Sequence, residues 1–309
     1  MTARSGASPV RQGEAAGGAV PAVPVLAVVG VGLIGGSFAA ALRRAGHVGR
    51  VLGVGRQPAA LARAQALGLI DEAVTLEQAG RQADFLMLAT PVSSLGGILA
   101  GLAPVLREDA VVTDAGSTKQ DVAAAARAML GARIGQFVPG HPIAGSDAAG
   151  PDAAEAGLYQ DRNVILTPLP ENDEARLQRV ALAWQACGAR VRTMSAADHD
   201  AVLASVSHLP HWLSALYMAQ VAAAPDAAVR LALAGTGFRD FTRIAAGSPE
   251  VWRDIFLSNR QAMQNELSAL RAVLDRAERA LAEGDGQALQ ALLEQACQAR
   301  RDWRLGDRP

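Results

Sequence analysis

The apolar run Val25-Leu26-Ala27-Val28-Val29 breaks into Gly30-Val31-Gly32-Leu33-Ile34-Gly35, and no other stretch constrains this chain as much. A buried strand, a G-x-G-x-x-G turn and a helical segment from Ser37 to Arg44 form the opening of a βαβ unit that cradles a dinucleotide. Each glycine has its own task. Gly30 permits the tight turn, Gly32 clears the backbone for a pyrophosphate, and Gly35 lets the helix lie against the strand. The free N–H groups opening that helix, at Leu33 and Ile34, and its positive end favour phosphate.

From Val23 to Leu42 the same region carries no charge, is long enough to cross a bilayer and has a small-residue pair at Gly32 and Gly36. Four glycines between Gly30 and Gly36 weaken it as a helix, and further strands of the same kind follow, so no membrane span is expected. The 29 basic and 30 acidic residues nearly cancel, which gives a nucleic acid nothing to bind, and 309 residues suffice for two domains. Cys187 and Cys297 lack metal-ligand spacing and fit a reducing compartment, so a cytoplasmic location without a bound metal is expected. Residues 1–22, rich in Ala, Gly and Pro, read as a disordered tail.

The alternation that follows predicts strands over Val25–Val29, Arg50–Val54, Phe85–Ala89, Ala110–Thr113, Gln136–Val138, Val164–Leu166 and Arg190–Thr193. Helical segments lie between them, over Pro58–Leu67, Ser94–Leu106, Lys119–Leu130 and Asp173–Cys187. The fold class is therefore α/β. A doubly wound parallel sheet, a Rossmann-like dinucleotide-binding domain over residues 23–194, precedes an all-α substrate and dimerisation domain over residues 195–309. Ser195 to Asp198 has the pattern of a capping box, and Ser248-Pro249 opens a helix expected to run to about Glu283, ~50 Å at the standard rise. Its apolar positions, Trp252 to Leu281 at three- and four-residue spacing, form a stripe longer than one small domain covers; a homodimer is expected to bury it.

In a doubly wound sheet, ligands bind beyond the carboxyl ends of the strands. His141 lies there, in Pro139-Gly140-His141-Pro142-Ile143-Ala144-Gly145, a loop stiffened by prolines and glycines. Ser117, in Asp114-Ala115-Gly116-Ser117-Thr118-Lys119, serves either as cap of the next helix or as a hydroxyl facing the crevice. Thr90-Pro91 forms a turn against which a ribose can rest. In Ser207-His208-Leu209-Pro210-His211 the proline should kink a helix, and His208 and His211, three apart, face polar ligand rather than metal, for lack of a third ligand. Arg239 and Arg243, four apart, share a helix face suited to a carboxylate-bearing ligand. After the second strand, Gly55-Arg56-Gln57 lacks the acid of an NAD-selective site; Arg56 instead suits a 2′-phosphate, which favours NADP or dual use over NAD alone.

Together, Gly30–Gly35, Asp114–Lys119, His141–Gly145, Ser207–His211, Phe238-Arg239-Asp240-Phe241-Thr242-Arg243-Ile244-Ala245 and Trp252-Arg253-Asp254-Ile255 resemble, in order, the prephenate/arogenate dehydrogenase family over about Val25 to Leu281. The resemblance implies oxidative decarboxylation of prephenate to 4-hydroxyphenylpyruvate in tyrosine synthesis, with hydride passing to NAD or NADP. It places the catalytic base at His141, with Ser117 supporting it, since a neutral imidazole suits proton abstraction near neutral pH. The ring carboxylate falls to Arg243 and the side-chain end to His211, with Arg239 and His208 as further contacts and Trp252 walling the pocket. Arogenate is the close alternative substrate. A non-catalytic dinucleotide sensor would have no use for a base there. Hydroxyacid dehydrogenases with a helical second domain would carry a lysine in its first helix, and residues 195–220 contain none. The last 28 residues are too few for a regulatory domain, so tyrosine feedback is expected at the active site itself.

Overall fold

A computed structural model describes residues 22–145 and 148–303, so all but Ala22 of the expected tail lies outside the described residues. Six strands, β1 (Val23–Val29), β2 (Val48–Val54), β3 (Glu72–Ala73), β4 (Phe85–Leu88), β5 (Val111–Asp114) and β6 (Phe137–Val138), form one sheet. Its order is β3-β2-β1-β4-β5-β6 and every pairing is parallel, the doubly wound arrangement expected from the βα alternation. Helices α1 (Leu33–Arg44), α2 (Pro58–Ala66), α3 (Leu76–Gln82), α4 (Val92–Leu102), α5 (Gln120–Leu130) and α6 (Glu174–Ala186) accompany it. Two apolar clusters fill the space on either side. One gathers Leu26, Val28, Phe38, Phe85 and Trp184, the other Ala27, Val29, Leu86, Leu88 and Leu99, as the alternating faces of β1 and β4 require.

Two expected strands lie elsewhere. Asn163–Leu166 (β8) and Arg190–Thr193 (β9) form a second sheet with Gly140–Pro142 (β7), in the order β7-β8-β9. His141 is therefore a strand residue paired with Ile165 across an antiparallel ladder, rather than a loop residue. Gln136 belongs to a 3₁₀ turn before β6.

From Ala196 onward the chain is helical: α7 (Ala196–Leu203), α8 (Leu209–Ala222), α9 (Ala227–Ala232), α10 (Thr236–Thr242), α11 (Pro249–Ser258), α12 (Arg260–Glu283) and α13 (Gly286–Asp302). Ser195 caps α7, accepting the Asp198 N–H. A π-helical turn, Ala204–His208, joins α7 to α8 with helical backbone throughout, and Pro210, which has no N–H to donate, follows directly after that irregular turn. The long helix from Pro249 is in fact two, broken at Asn259. Beyond the break Met263 is buried and Leu267 and Leu270 partly so, while Leu274 and Leu281 remain 56% and 68% exposed in the single chain. No helix among the described residues is long and apolar enough to cross a membrane.

Candidate active site

The dinucleotide cradle matches the division of labour among the glycines. Gly30 has φ +94°, and a Cβ there would lie 2.5 Å from the Ala89 carbonyl oxygen. A Cβ on Gly35 would collide with the Gly30 carbonyl and with Val28, so only glycine lets α1 approach β1 this closely. Gly32, the N-cap of α1, faces open space, and the first turn of α1 holds no acid, leaving its N–H groups to an anion. Across the crevice Thr90 Oγ1 is buried without a hydrogen-bond partner among the described residues, beside Pro91 at the cap of α4. An orphaned buried hydroxyl and an open N-terminus fit a dinucleotide. Arg56 is exposed just past the end of β2.

One carboxylate organises the strand that carries His141. Asp114, at the end of β5, accepts the Gly140 N–H at 3.0 Å and the Gly116 N–H at 2.8 Å. It also pairs with Lys119 Nζ at 2.5 Å, and both side chains of this ion pair are fully buried. Lys119 Nζ donates onward to the Gly140 carbonyl at 2.7 Å, so the backbone immediately before His141 is held from both its N–H and its C=O.

The His141 ring is crowded. Its Nδ1 lies 2.9 Å from His199 Nε2, and His199 Nδ1 lies 2.8 Å from Asp200 Oδ1. Burial, with His199, Lys119 and His208 nearby, holds the His141 pKa well below 6.5, so the imidazole is neutral at physiological pH. Asp200 also accepts the backbone N–H groups of Lys119 and Gln120, at 2.8 and 2.9 Å. The N-terminus of α5 is thus capped from α7, and not by Ser117, which sits half-buried on the same turn. Sequence reasoning missed His199 and Asp200. A histidine and an aspartate in the first turns after a capping serine read as an ordinary helix start.

The turn of the helical region between α7 and α8 brings His208 and His211 to Trp252. His211 stacks on the indole with ring centroids 3.5 Å apart and planes 13° from parallel, and His208 meets it edge-on at 6.3 Å. Gly247 packs against this stack; a Cβ there would lie 2.7 Å from Trp252 Nε1. A cavity of about 350 Å³ opens beside it, lined by His211, Ala215, Gly247, Trp252, Arg253 and Phe256. Asn259, at the helix break, donates its Nδ2 to the Asp200 carbonyl at 2.8 Å and lies 3.1 Å from His208 Nδ1. An amide N–H beside Nδ1 places the His208 proton on Nε2, a buried atom with no partner among the described residues. Burial pushes the His208 pKa down to about 4, so it too is neutral. Arg243 is exposed and opens the 3₁₀ turn, Arg243–Ala246, that packs against α8. Arg239, also exposed, pairs with its neighbour Asp240 at 3.3 Å. No group of residues suited to a metal ion occurs among the described residues.

Known proteins with these features are close at hand. Residues 38–193 match the nucleotide-binding domain of prephenate dehydrogenase, and residues 195–295 its dimerization domain. The cyclohexadienyl dehydrogenase of Zymomonas mobilis is 35% identical over 89% of this chain and 94% of its own length. The crystal structure of prephenate dehydrogenase from A. aeolicus in complex with hydroxyphenyl propionate and NAD+ superposes with a TM-score of 0.83 at 35% identity, covering 90% of this chain and 98% of the other. Synechocystis arogenate dehydrogenase gives 0.78 at 33% identity, over 91% of this chain and 100% of the other. The doubly wound sheet, the helical region that follows it and these likenesses agree, and the chain belongs to the prephenate dehydrogenase family.

Proposed function

We propose that this chain oxidises and decarboxylates prephenate to 4-hydroxyphenylpyruvate, with His141 as the general base. The observation that carries this reading is a neutral imidazole just past the carboxyl end of the sheet, its Nδ1 engaged by His199 and its Nε2 without a hydrogen-bond partner among the described residues. Gly30, Gly32, Leu33, Ile34, Gly35, Thr90 and Pro91 would hold NAD or NADP. Bound there, the nicotinamide supplies the hydride acceptor. The side chains do the rest. His141 Nε2 takes the proton of the ring hydroxyl as its carbon gives up hydride; the bond to the ring carboxylate then breaks, its electron pair restores aromaticity as CO2 leaves, and the phenolate so formed takes the proton back from His141. Ser117 supports the base from the neighbouring turn. His208 offers its orphaned Nε2–H to a substrate oxygen, His211 meets the side-chain end of the substrate with Trp252, stacked on it, walling the pocket, and Arg243, with Arg239 further out, faces the ring carboxylate. Two such chains pair through the helical region, and residues 23–194 and 195–309 divide cofactor binding from substrate binding and dimerisation. The working compartment is the cytoplasm.

A spectrophotometric assay crossing prephenate and arogenate with NAD and NADP tests the reading. Turnover of prephenate is expected, and no turnover of either substrate would overturn it. Arogenate is the second candidate because an arogenate dehydrogenase stands among the similar structures. Arg243→Ala should raise KM for prephenate by about two orders of magnitude, the ~2–4 kcal/mol of a lost charge-assisted contact, with cofactor Kd unchanged. Equal losses for both ligands would mean a damaged fold.

Arg56 tilts cofactor choice toward NADP or dual use. In the same assay Arg56→Asp should move the preference toward NAD, since it removes a phosphate partner and adds a ribose acceptor. A wild type that already strongly prefers NAD would contradict this.

A further inference from the structure

The proposed chemistry leaves a buried histidine–carboxylate pair without a task. His199 is fully buried and Asp200 is 1% exposed, both in α7, with His199 against Nδ1 of His141. Burying an ion in this way is costly unless it is fully hydrogen-bonded, and Asp200 is: its oxygens accept His199 Nδ1–H and the N–H groups of Lys119 and Gln120 at the positive end of α5. Burial alone would raise its pKa, but these donors outweigh it and hold the carboxyl below its ordinary range. The rest is proton accounting. An ionised carboxylate only accepts, so a His199 ring with a single proton carries it on Nδ1 and has a bare lone pair at Nε2. His141 Nδ1, 2.9 Å away, must then be the donor.

We propose that His199 and Asp200 are positioning residues that fix the tautomer of His141, holding its proton on Nδ1 so that the Nε2 lone pair alone meets the substrate hydroxyl. The proposal rests on His141 being the base. In the other tautomer Nε2 would carry a hydrogen and could accept nothing. When Nε2 takes the hydroxyl proton, Nδ1–H stays in its bond to His199, no proton leaves the pair, and the new imidazolium lies one ring away from the Asp200 anion. The other charged or titratable neighbours do not compete for that role. The Lys119 ammonium is engaged by Asp114 and the Gly140 carbonyl, and His208 is neutral with its Nδ1 turned to Asn259.

The test uses His199→Leu, which removes the acceptor, and His199→Gln, whose Oε1 can take the place of Nε2. Nitrogen NMR of the His141 ring, assigned by its loss in His141→Asn, should report Nδ1–H with a bare Nε2 in the wild type and in the Gln variant. In the Leu variant Nε2–H should become populated. In parallel, kcat should fall by about 10²-fold in the Leu variant and recover most of that loss in the Gln variant, with KM for prephenate and cofactor unchanged. A wild-type ring protonated on Nε2, a Leu variant with normal kcat, or a Gln variant as slow as Leu would each overturn the proposal. Full activity in His141→Asn would instead remove the base assignment, and the ring spectra would still decide the tautomer.

Discussion

Replacing His141 by asparagine is expected to lower kcat by about 10²- to 10⁴-fold, the range a positioned general base contributes. Asparagine is the informative choice, because its Nδ2 can stand where His141 Nδ1 donates to His199, while nothing replaces Nε2. The neighbourhood is kept and only the proton acceptor is lost. KM for prephenate should therefore change by no more than about 3-fold, since the carboxylate contacts are separate from the base. The pH profile gives a second reading. Burial, followed by His199, Lys119 and His208, holds the imidazole well below 6.5, so wild-type kcat should stay level from neutral pH down past 6.5 and fall only where the ring gains a proton. The residual activity of the variant should lack that acid limb. A variant with near-normal kcat would show that another group takes the proton.

Asp114→Ala should be the most damaging substitution for stability outside the apolar core, costing about 3–5 kcal/mol. The carboxylate serves Lys119 Nζ and the N–H groups of Gly116 and Gly140 at once, in a place with no access to water. Its loss strands a buried ammonium with only the Gly140 carbonyl for company. At ~2–4 °C per kcal/mol for a domain of this size, thermal unfolding should move down by roughly 6 °C or more. Lys119→Met added to Asp114→Ala should recover part of the loss, because two apolar groups leave no uncompensated charge. If the single variant melts with the wild type, the ion pair contributes nothing, and the position of β7 must be set by the β7–β8 ladder alone.

The parts of the fold that can be read from the sequence are those decided locally. β1 and α1 announce themselves through an unbroken apolar run and three glycines with separate steric duties, and the cap at Ser195 lies three residues from the N–H it accepts. What sequence reasoning misses is decided at a distance. β7 is three residues long and exists only because β8, some twenty residues on, pairs with it. The break at Asn259 carries no proline or glycine to mark it; the residue is held by the Asp200 carbonyl and by His208, which lie over fifty positions earlier. His199 escapes for the same reason. Its neighbours in sequence describe a helix start, while in space it meets a strand residue, His141, and the Asp200 beside it reaches another helix's N-terminus.

The π-helical turn at Ala204–His208 bears on all three histidines through angular phase. In an unbroken α-helix, at ~100° per residue, His208 would point ~180° from His199 and His211 ~120° from it. A π turn absorbs about one residue, which brings these offsets to ~80° and ~20°. The segment thus works as a gear with one extra tooth. Its length sets the rotation of everything beyond it, and side-chain identity within Ala204–Ser207 matters less to the site than the number of residues there.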